Sequence, residues 1–316
     1  MSAARPKNGA RATSSRGVLL VVLAFLFLAT GCRGKSQEPA AHDDAGSKGA
    51  PKRIVSLSPS TTEALFVIGA GKEVVGRSRY CDWPKEVLAL PQVGGYVDPS
   101  LEAILALKPD LVTGARGPAG AAITERLEQR GIATYFPKTE NFAEIDTMIR
   151  GLGERTGHVE QASAQLGSMH RRIADIEKAV GQKPPVRVLL VFGLAPLSVA
   201  GPEGFADEMI RHAGGINVVT GGGAYPTIGV ERVMSLDPDV IVNAAMAESH
   251  GNERITKDAP GWSNVRAVKT DHVVSITDES VLRPGPRIAD GLATLAKAIH
   301  PDVPLDAAAA GRTSPP

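Results

Sequence analysis

Aromatic residues make up only 4% of this 316-residue chain, and cysteine occurs twice. With so few rings, the core must be built from Val, Ile, Leu and Ala, which suits α/β architecture. Two cysteines exclude a disulfide framework. Charge of one sign is also missing: the formal net charge is +1, with no basic stripe, so a nucleic-acid partner is not expected. His158, His170, His212, His250, His272 and His300 are scattered with no pair at ligand spacing, so no metal centre is expected. No Gly-rich phosphate loop, nucleophile elbow or zinc helix is present. Gly221-Gly222-Gly223 lacks the strand–helix context of a dinucleotide fingerprint. An exported α/β enzyme is therefore disfavoured for want of a nucleophile–base pair. The apolar run Val18–Leu28 is too short for a comfortable membrane span.

That run is instead the core of a targeting segment. Arg5, Lys7, Arg11 and Arg16 precede it, and Ala29-Thr30-Gly31-Cys32 follows. The latter resembles a bacterial lipoprotein box, with Ala29 where leucine is usual. Residues 1–32 thus read as a lipoprotein signal peptide with Cys32 as the lipidated residue; a plain signal peptide cleaved nearby is the alternative. Lipidation of Cys32 would leave Cys81 without a disulfide partner even in an oxidising compartment. Residues 33–52 are rich in Gly, Ala, Ser, Lys and Asp without apolar period and read as a flexible tether.

Beyond the tether, one unit occurs twice. Ser100–Val112 reads SLEAILALKPDLV and Gly229–Ile241 reads GVERVMSLDPDVI. Each runs from a short amphipathic helix through a Leu-x-Pro-Asp corner into an apolar strand. Pro109 and Pro238 end the helix, and the β-branched run after each Asp suits a buried parallel strand. Each copy carries a glutamate in its first helical turn, Glu102 and Glu231. A helix–strand unit repeated so far apart predicts two similar lobes.

The flanking elements repeat as well. In the first half, strands are expected at Arg53–Leu57, Lys72–Gly76, Leu111–Thr113 and Gly131–Phe136, with helices at Thr61–Ile68, Leu101–Leu107 and Ala121–Gln129. In the second, strands are expected at Val186–Phe192, Ile216–Thr220, Val240–Asn243 and His272–Ile276, with helices at Phe205–Ala213, Val230–Leu236 and Arg287–Ile299. Between them, Val159, Ala162, Leu166, Met169, Ile173 and Ile176 recur at helical steps over His158–Val180, about 35 Å of helix. The predicted fold is α/β, two lobes with mainly parallel sheets joined by one long backbone helix. The boundaries are an N-terminal lobe at 53–156, a bridging helix at 157–182, a C-terminal lobe at 183–301 and a loose tail at 302–316.

Ligands of such two-lobed proteins sit beyond the carboxyl ends of the strands. The loops there carry Pro59-Ser60-Thr61, Tyr80, Trp83, Tyr96, Ala115-Arg116, Gly193–Ser198, Tyr225 and Glu279–Arg283. Three of the four tyrosines fall on these loops, and flat rings on opposing lips suit a large planar ligand. Ser60-x-x-Glu63 reads as a helix capping box. Glu102 and Glu231 either favour a helix start through the dipole or serve as docking charges. Ser100 can cap its helix, and Gly229 is a weaker cap.

The motifs RIVSLSPSTTEALFVIGAG, RYCDWP, VGGYVDPSLEAILALKPDLV, YPTIGVERVMSLDPDVIV and RPGPRIADGL, in this order over Arg53 to His300, resemble the periplasmic substrate-binding proteins of the cobalamin, iron-siderophore and haem ABC-importer class. The similarity is greatest to the vitamin B12-binding proteins. The resemblance implies a non-enzymatic, periplasmic, lipid-anchored binder that hands its ligand to a permease dimer with ATPase subunits. Cobalamin would be a transported ligand, with no prosthetic group. It implies that Tyr80, Tyr96, Phe192 and Tyr225 line the corrin cleft, that Glu279 and Arg283 form its polar rim, and that Glu102 and Glu231 meet permease arginines. Ala115 and Ser198 stand where the family has aromatics. Arg77, Arg79, Arg116, Arg283 and Arg287 could attract an anionic chelate, which keeps a siderophore or haem open as the ligand. A purely structural surface lipoprotein would not need the loop aromatics.

Overall fold

The structure is a computed structural model that describes residues 49–117, 120–245 and 254–305. Cys32, the signal segment, most of the tether and the tail beyond residue 305 lie outside the described residues. Four strands, β1 (Ile54–Ser56), β2 (Val74–Arg77), β3 (Leu111–Thr113) and β4 (Ala133–Tyr135), form an all-parallel sheet in the order β2-β1-β3-β4. A second sheet holds β5 (Val186–Leu194), β6 (Leu197–Val199), β7 (Gly215–Asn217), β8 (Val240–Asn243) and β9 (Val273–Ser275). In it β7, β5, β8 and β9 repeat the same parallel order, β7 pairing with the first residues of β5. Only β6 departs, as an antiparallel partner of the far end of β5. The two lobes expected from the repeat are therefore present with matching topology.

Among the described residues the helices are α1 (Pro59–Val67), α2 (Leu101–Ala106), α3 (Gly120–Glu128), α4 (Phe142–Thr156), α5 (Val159–Val180), α6 (Phe205–His212), α7 (Val230–Leu236), α8 (Arg266–Lys269) and α9 (Ile288–Ile299). The repeated corner closes identically in both lobes. The residues before the prolines, Lys108 and Asp237, take left-handed φ of 48° and 44°. Asp110 then accepts the Arg53 N–H at 3.0 Å, and Asp239 accepts the Arg187 N–H at 3.0 Å. The same two arginines turn their guanidinium groups onto the last carbonyls of the helix, Leu107 and Lys108 in one lobe and Leu236 and Asp237 in the other. A cation at a helix C-terminus is favourable because unpaired carbonyls gather there.

The long helix α5 spans about 33 Å. Ala162, Leu166, Met169, Ile173, Ile176 and Val180 form its buried stripe, but Val159, at its first turn, is 51% exposed. This stripe packs against α1 and α4 of the first lobe and α6 and α9 of the second. The result is one continuous apolar core running from Ile54 and Leu65 through α5 to Leu292 and Leu295. An ion pair between Arg172 and Asp290 fastens α5 to α9.

Two local readings need correction. The second strand of the first lobe starts only at Val74, because Ala70–Glu73 is a 3-10 turn, and its counterpart in the second lobe runs Gly215–Asn217 instead of Ile216–Thr220. Helix α4 is absent from the sequence reading. Asn141 caps it, accepting the Glu144 N–H at 2.9 Å. Gly153 sits where a Cβ would come within 2.6 Å of the Ala162 Cβ, so this glycine permits close helix approach rather than a break.

Candidate functional site

The cleft is built from the loops at the carboxyl ends of the strands. After β1, Ser58 caps α1 and its hydroxyl also accepts the Ala115 N–H at 2.9 Å, which ties this loop to the one after β3. Pro59 takes the first helical position, where its missing N–H costs nothing. Pro59 and Ser60 face the cleft. Thr61 does not: it is fully buried, 2.9 Å from the hydroxyls of both Ser56 and Ser58. One residue further round the helix turns it toward the sheet.

After β2, the loop Ser78–Pro84 wraps around Arg77. That guanidinium is buried and donates to the carbonyls of Ser78 at 3.2 Å and Cys81 at 3.0 Å. Arg77 thus shapes the loop instead of attracting an anionic ligand. The loop directs Tyr80 and Asp82 into the cleft. Cys81 points inward, fully buried, with the Thr62 hydroxyl donating to its sulfur at 3.1 Å. With its side chain packed inside, burial pushes its thiol up to about 11. In the Gly-rich loop, Gly94 has φ of 102°, and an Arg79–Asp98 ion pair at 2.7 Å spans the turn. The Tyr96 hydroxyl donates to the Arg116 carbonyl at 2.9 Å. A Cβ at Gly117 would overlap that phenol.

These loops face the second lobe across a cleft of about 830 Å³. Of the residues expected there, Pro59, Ser60, Tyr80, Tyr96, Arg116, Tyr225, Glu279 and Arg283 line it together. Phe192 is not among the lining residues; its half-buried ring packs on Tyr225, centroids 5.5 Å apart at 59°. Tyr80 and Tyr225 remain half-exposed, at 50% and 52%. Burial, together with the Glu140 carboxylate, pushes the phenols of Tyr96 and Tyr225 above their usual range. Sequence reasoning missed Asp82, Thr139 and Glu140, which also line the cleft. Asp82 was signalled by its place between Tyr80 and Trp83; Thr139 and Glu140 carry no motif.

The expected capping box is not formed. Ser58, not Ser60, is the N-cap, and Glu63 is 1% exposed. Its carboxylate receives Arg287 through two contacts, Nε at 2.9 Å and Nη2 at 2.6 Å, and Arg283 at 3.3 Å. Arg283 in turn holds Asp82 at 2.5 and 3.1 Å and pairs with Glu279. The Arg287 guanidinium lies 4.9 Å over the Trp83 ring. Two of the five candidate anion-attracting arginines are thereby engaged across the lobes, and Arg79 is engaged by Asp98. Glu102 and Glu231 are exposed at the starts of α2 and α7, and neither makes an ion pair among the described residues. Ser100 caps α2 through the Ala103 N–H at 3.2 Å, whereas Gly229 offers no side-chain cap.

Two α/β lobes of matching topology, a spanning helix and a ligand-sized cleft between loop tips define a bilobal binding protein. The sequence profile of the periplasmic binding protein family matches residues 54–280, and the chain belongs to that family. This is a family of binding proteins and not of enzymes. Among relatives, an uncharacterised ABC transporter substrate-binding lipoprotein of Bacillus subtilis is 29% identical over 84% of this chain and 85% of its own. A vitamin B12-binding protein of Photorhabdus laumondii is 29% identical over 76% of this chain and 84% of its own. Among solved structures, the periplasmic vitamin B12-binding protein of Vibrio cholerae superposes with a TM-score of 0.69 at 25% identity, covering 79% of this chain and 97% of that one. A periplasmic haem-binding protein of Roseiflexus superposes equally well, with a TM-score of 0.70 at 26% identity over 80% of this chain and 99% of that one.

Proposed function

We propose that this chain is the exported substrate-binding component of an ABC importer, which captures cobalamin or a related corrinoid in the cleft and delivers it to a membrane permease. The observation that carries this reading is the pairing of aromatic lips. Tyr80 and Tyr96 on one lobe oppose Tyr225, backed by Phe192, on the other, across about 830 Å³. Rings on two lips suit a large, flat, amide-decorated macrocycle. The charged lining supports the same choice. Arg79, Arg116 and Arg283 are matched in number by Asp82, Glu140 and Glu279, which suits an uncharged ligand better than a polyanionic ferric chelate. Glu102 and Glu231 are the docking charges for the permease, and Cys32 is the lipid attachment that holds the protein at the periplasmic face of a membrane. Haem is the second reading, since a tyrosinate can ligate haem iron and haem-binding structures superpose as well as the B12-binding one.

The test is the absorption spectrum of purified protein after incubation with cyanocobalamin, haem or ferric chelates and removal of free ligand. Corrinoid bands are expected; porphyrin bands alone would replace the ligand assignment. Tyr80→Ala combined with Tyr225→Ala should weaken cyanocobalamin binding at least about tenfold in titration calorimetry and leave the melting temperature within a degree or two, since both rings are half in solvent. Unchanged affinity would refute the lips.

A further inference from the structure

Glu63 lies beneath the cleft, and its position has a consequence for which ligands the cleft accepts. A buried carboxylate is costly unless it is paired and hydrogen-bonded. Glu63 is 1% exposed, and both of its partners, Arg283 and Arg287, come from the segment that leads into α9 of the other lobe. Gly285, between them, lies against the first turn of α1; a Cβ there would stand 3.5 Å from the Ser60 Cα and 3.7 Å from Glu63 Oε2. Glu63 therefore holds Arg287 through two hydrogen bonds and helps to hold Arg283 through one. Through Nη1 and Nη2 Arg283 also reaches Asp82 and Glu279, both on the cleft wall. The cluster contains three carboxylates, Glu63, Asp82 and Glu279, against two guanidinium groups, Arg283 and Arg287. One carboxylate is in excess, and both terminal nitrogens of Arg283 already face carboxylates.

We propose that Glu63 is a positioning and selectivity residue: by offsetting the charge of Arg283 and Arg287 from below, it leaves this wall of the cleft with surplus negative charge, so that amide-bearing ligands are accepted and carboxylate-bearing ones of the same shape are disfavoured. Its choice of probes rests on the corrinoid reading, but the charge argument does not.

The experiment compares cyanocobalamin with its monocarboxylic acid derivative, in which one side-chain amide is hydrolysed and the ring is unchanged. Wild-type protein should bind the amide form more tightly by roughly fivefold or more, as expected for a like charge brought close to a carboxylate in a partly dry site. Glu63→Gln should bring that ratio close to one. Glu63→Asp, which keeps the charge, should retain the preference. If Glu63→Gln does not fold, Asp82→Asn removes a charge from the same cluster at an exposed position and should narrow the ratio likewise. A merely structural role for Glu63 would weaken both probes equally and leave the ratio fixed, which would overturn the proposal. If the wild type binds neither corrinoid, the proposed ligand fails; the same ratio is then read with haem and haem dimethyl ester, and an unchanged ratio there overturns the selectivity role independently.

Discussion

Cys81 illustrates how placement decides the chemistry of a single side chain. In sequence it sits in RYCDWP, between Tyr80 and Asp82, which face the cleft. In the structure it points the other way, fully buried, with its thiol pushed up to about 11 by burial. An unfolded thiol ionises near 8.5–9, so the folded value is raised. Its contribution to stability is therefore complete below about pH 9 and is lost as pH climbs through about 11, on the order of 2–3 kcal/mol in all. Urea titrations at pH 7, 9 and 10.5 should show this loss, and Cys81→Ala should show less of it. In a Cys32→Ser background, iodoacetamide at pH 8 should label Cys81 only after denaturant is added; rapid native labelling would contradict the burial. Glu63 shows the limit of sequence reading at this scale. Its spacing from Ser60 fits a local cap, whereas its real partner lies 224 residues away, and no local pattern can signal that.

At the scale of elements, what repeats in the sequence also repeats in space. The helices Leu101–Ala106 and Val230–Leu236 and the strands Leu111–Thr113 and Val240–Asn243 follow the sequence reading closely, because Pro109 and Pro238 mark the corners and the apolar runs are unbroken. What the sequence hides are elements justified by distant packing. Gly151 and Gly153 make α4 look unlike a helix, yet Gly153 is there to admit Ala162 of α5. Likewise β6 is short and follows Pro196, so only its pairing with β5 reveals it. The corner itself gives a prediction. Asp110 and Asp239 each pin the start of a neighbouring strand, and neither lines the cleft. Burial opposes ionisation of Asp239, but the Arg187 N–H and the Arg266 guanidinium outweigh it and hold its carboxyl below the usual range. Such a group stabilises the fold above the unfolded value near 3.9, and this contribution is lost as pH falls through the folded value. Asp110→Ala and Asp239→Ala should each cost about 1–2 kcal/mol in denaturant titrations, with cyanocobalamin affinity unchanged. Weakened binding by either variant would mean that the corner reaches the site.

For the molecule as a whole, the parallel order in both lobes places the carboxyl ends of every strand but β6 toward the cleft. The helices that precede β3 and β8 run back along the sheets, so α2 and α7 begin on that same side. Glu102 and Glu231 therefore stand one on each lobe, beside the mouth and outside its lining, exposed and without an ion pair among the described residues. A carboxylate in a first helical turn is mildly favoured by the dipole, which accounts for one such residue but not for the same residue at the same step of both repeats. A partner that meets the mouth with two basic patches would engage both lobes at once, and close interfacial charge pairs couple by about 1.5–7 kcal/mol. Glu102→Ala and Glu231→Ala should each keep ligand affinity and the melting temperature, and each should reduce retention by the permease. The double variant should be worst, and wild-type retention should fall as salt rises, because exposed charges are screened within about 10 Å at 0.1 M. A pull-down with the permease, run beside cellular uptake of cyanocobalamin, separates the possibilities. Full uptake by the double variant would reduce the paired glutamates to a helix-start preference, and loss of ligand binding would move them into the cleft. Retention lost together with uptake, at unchanged affinity, would make the repeated element the surface through which the binder meets its transporter.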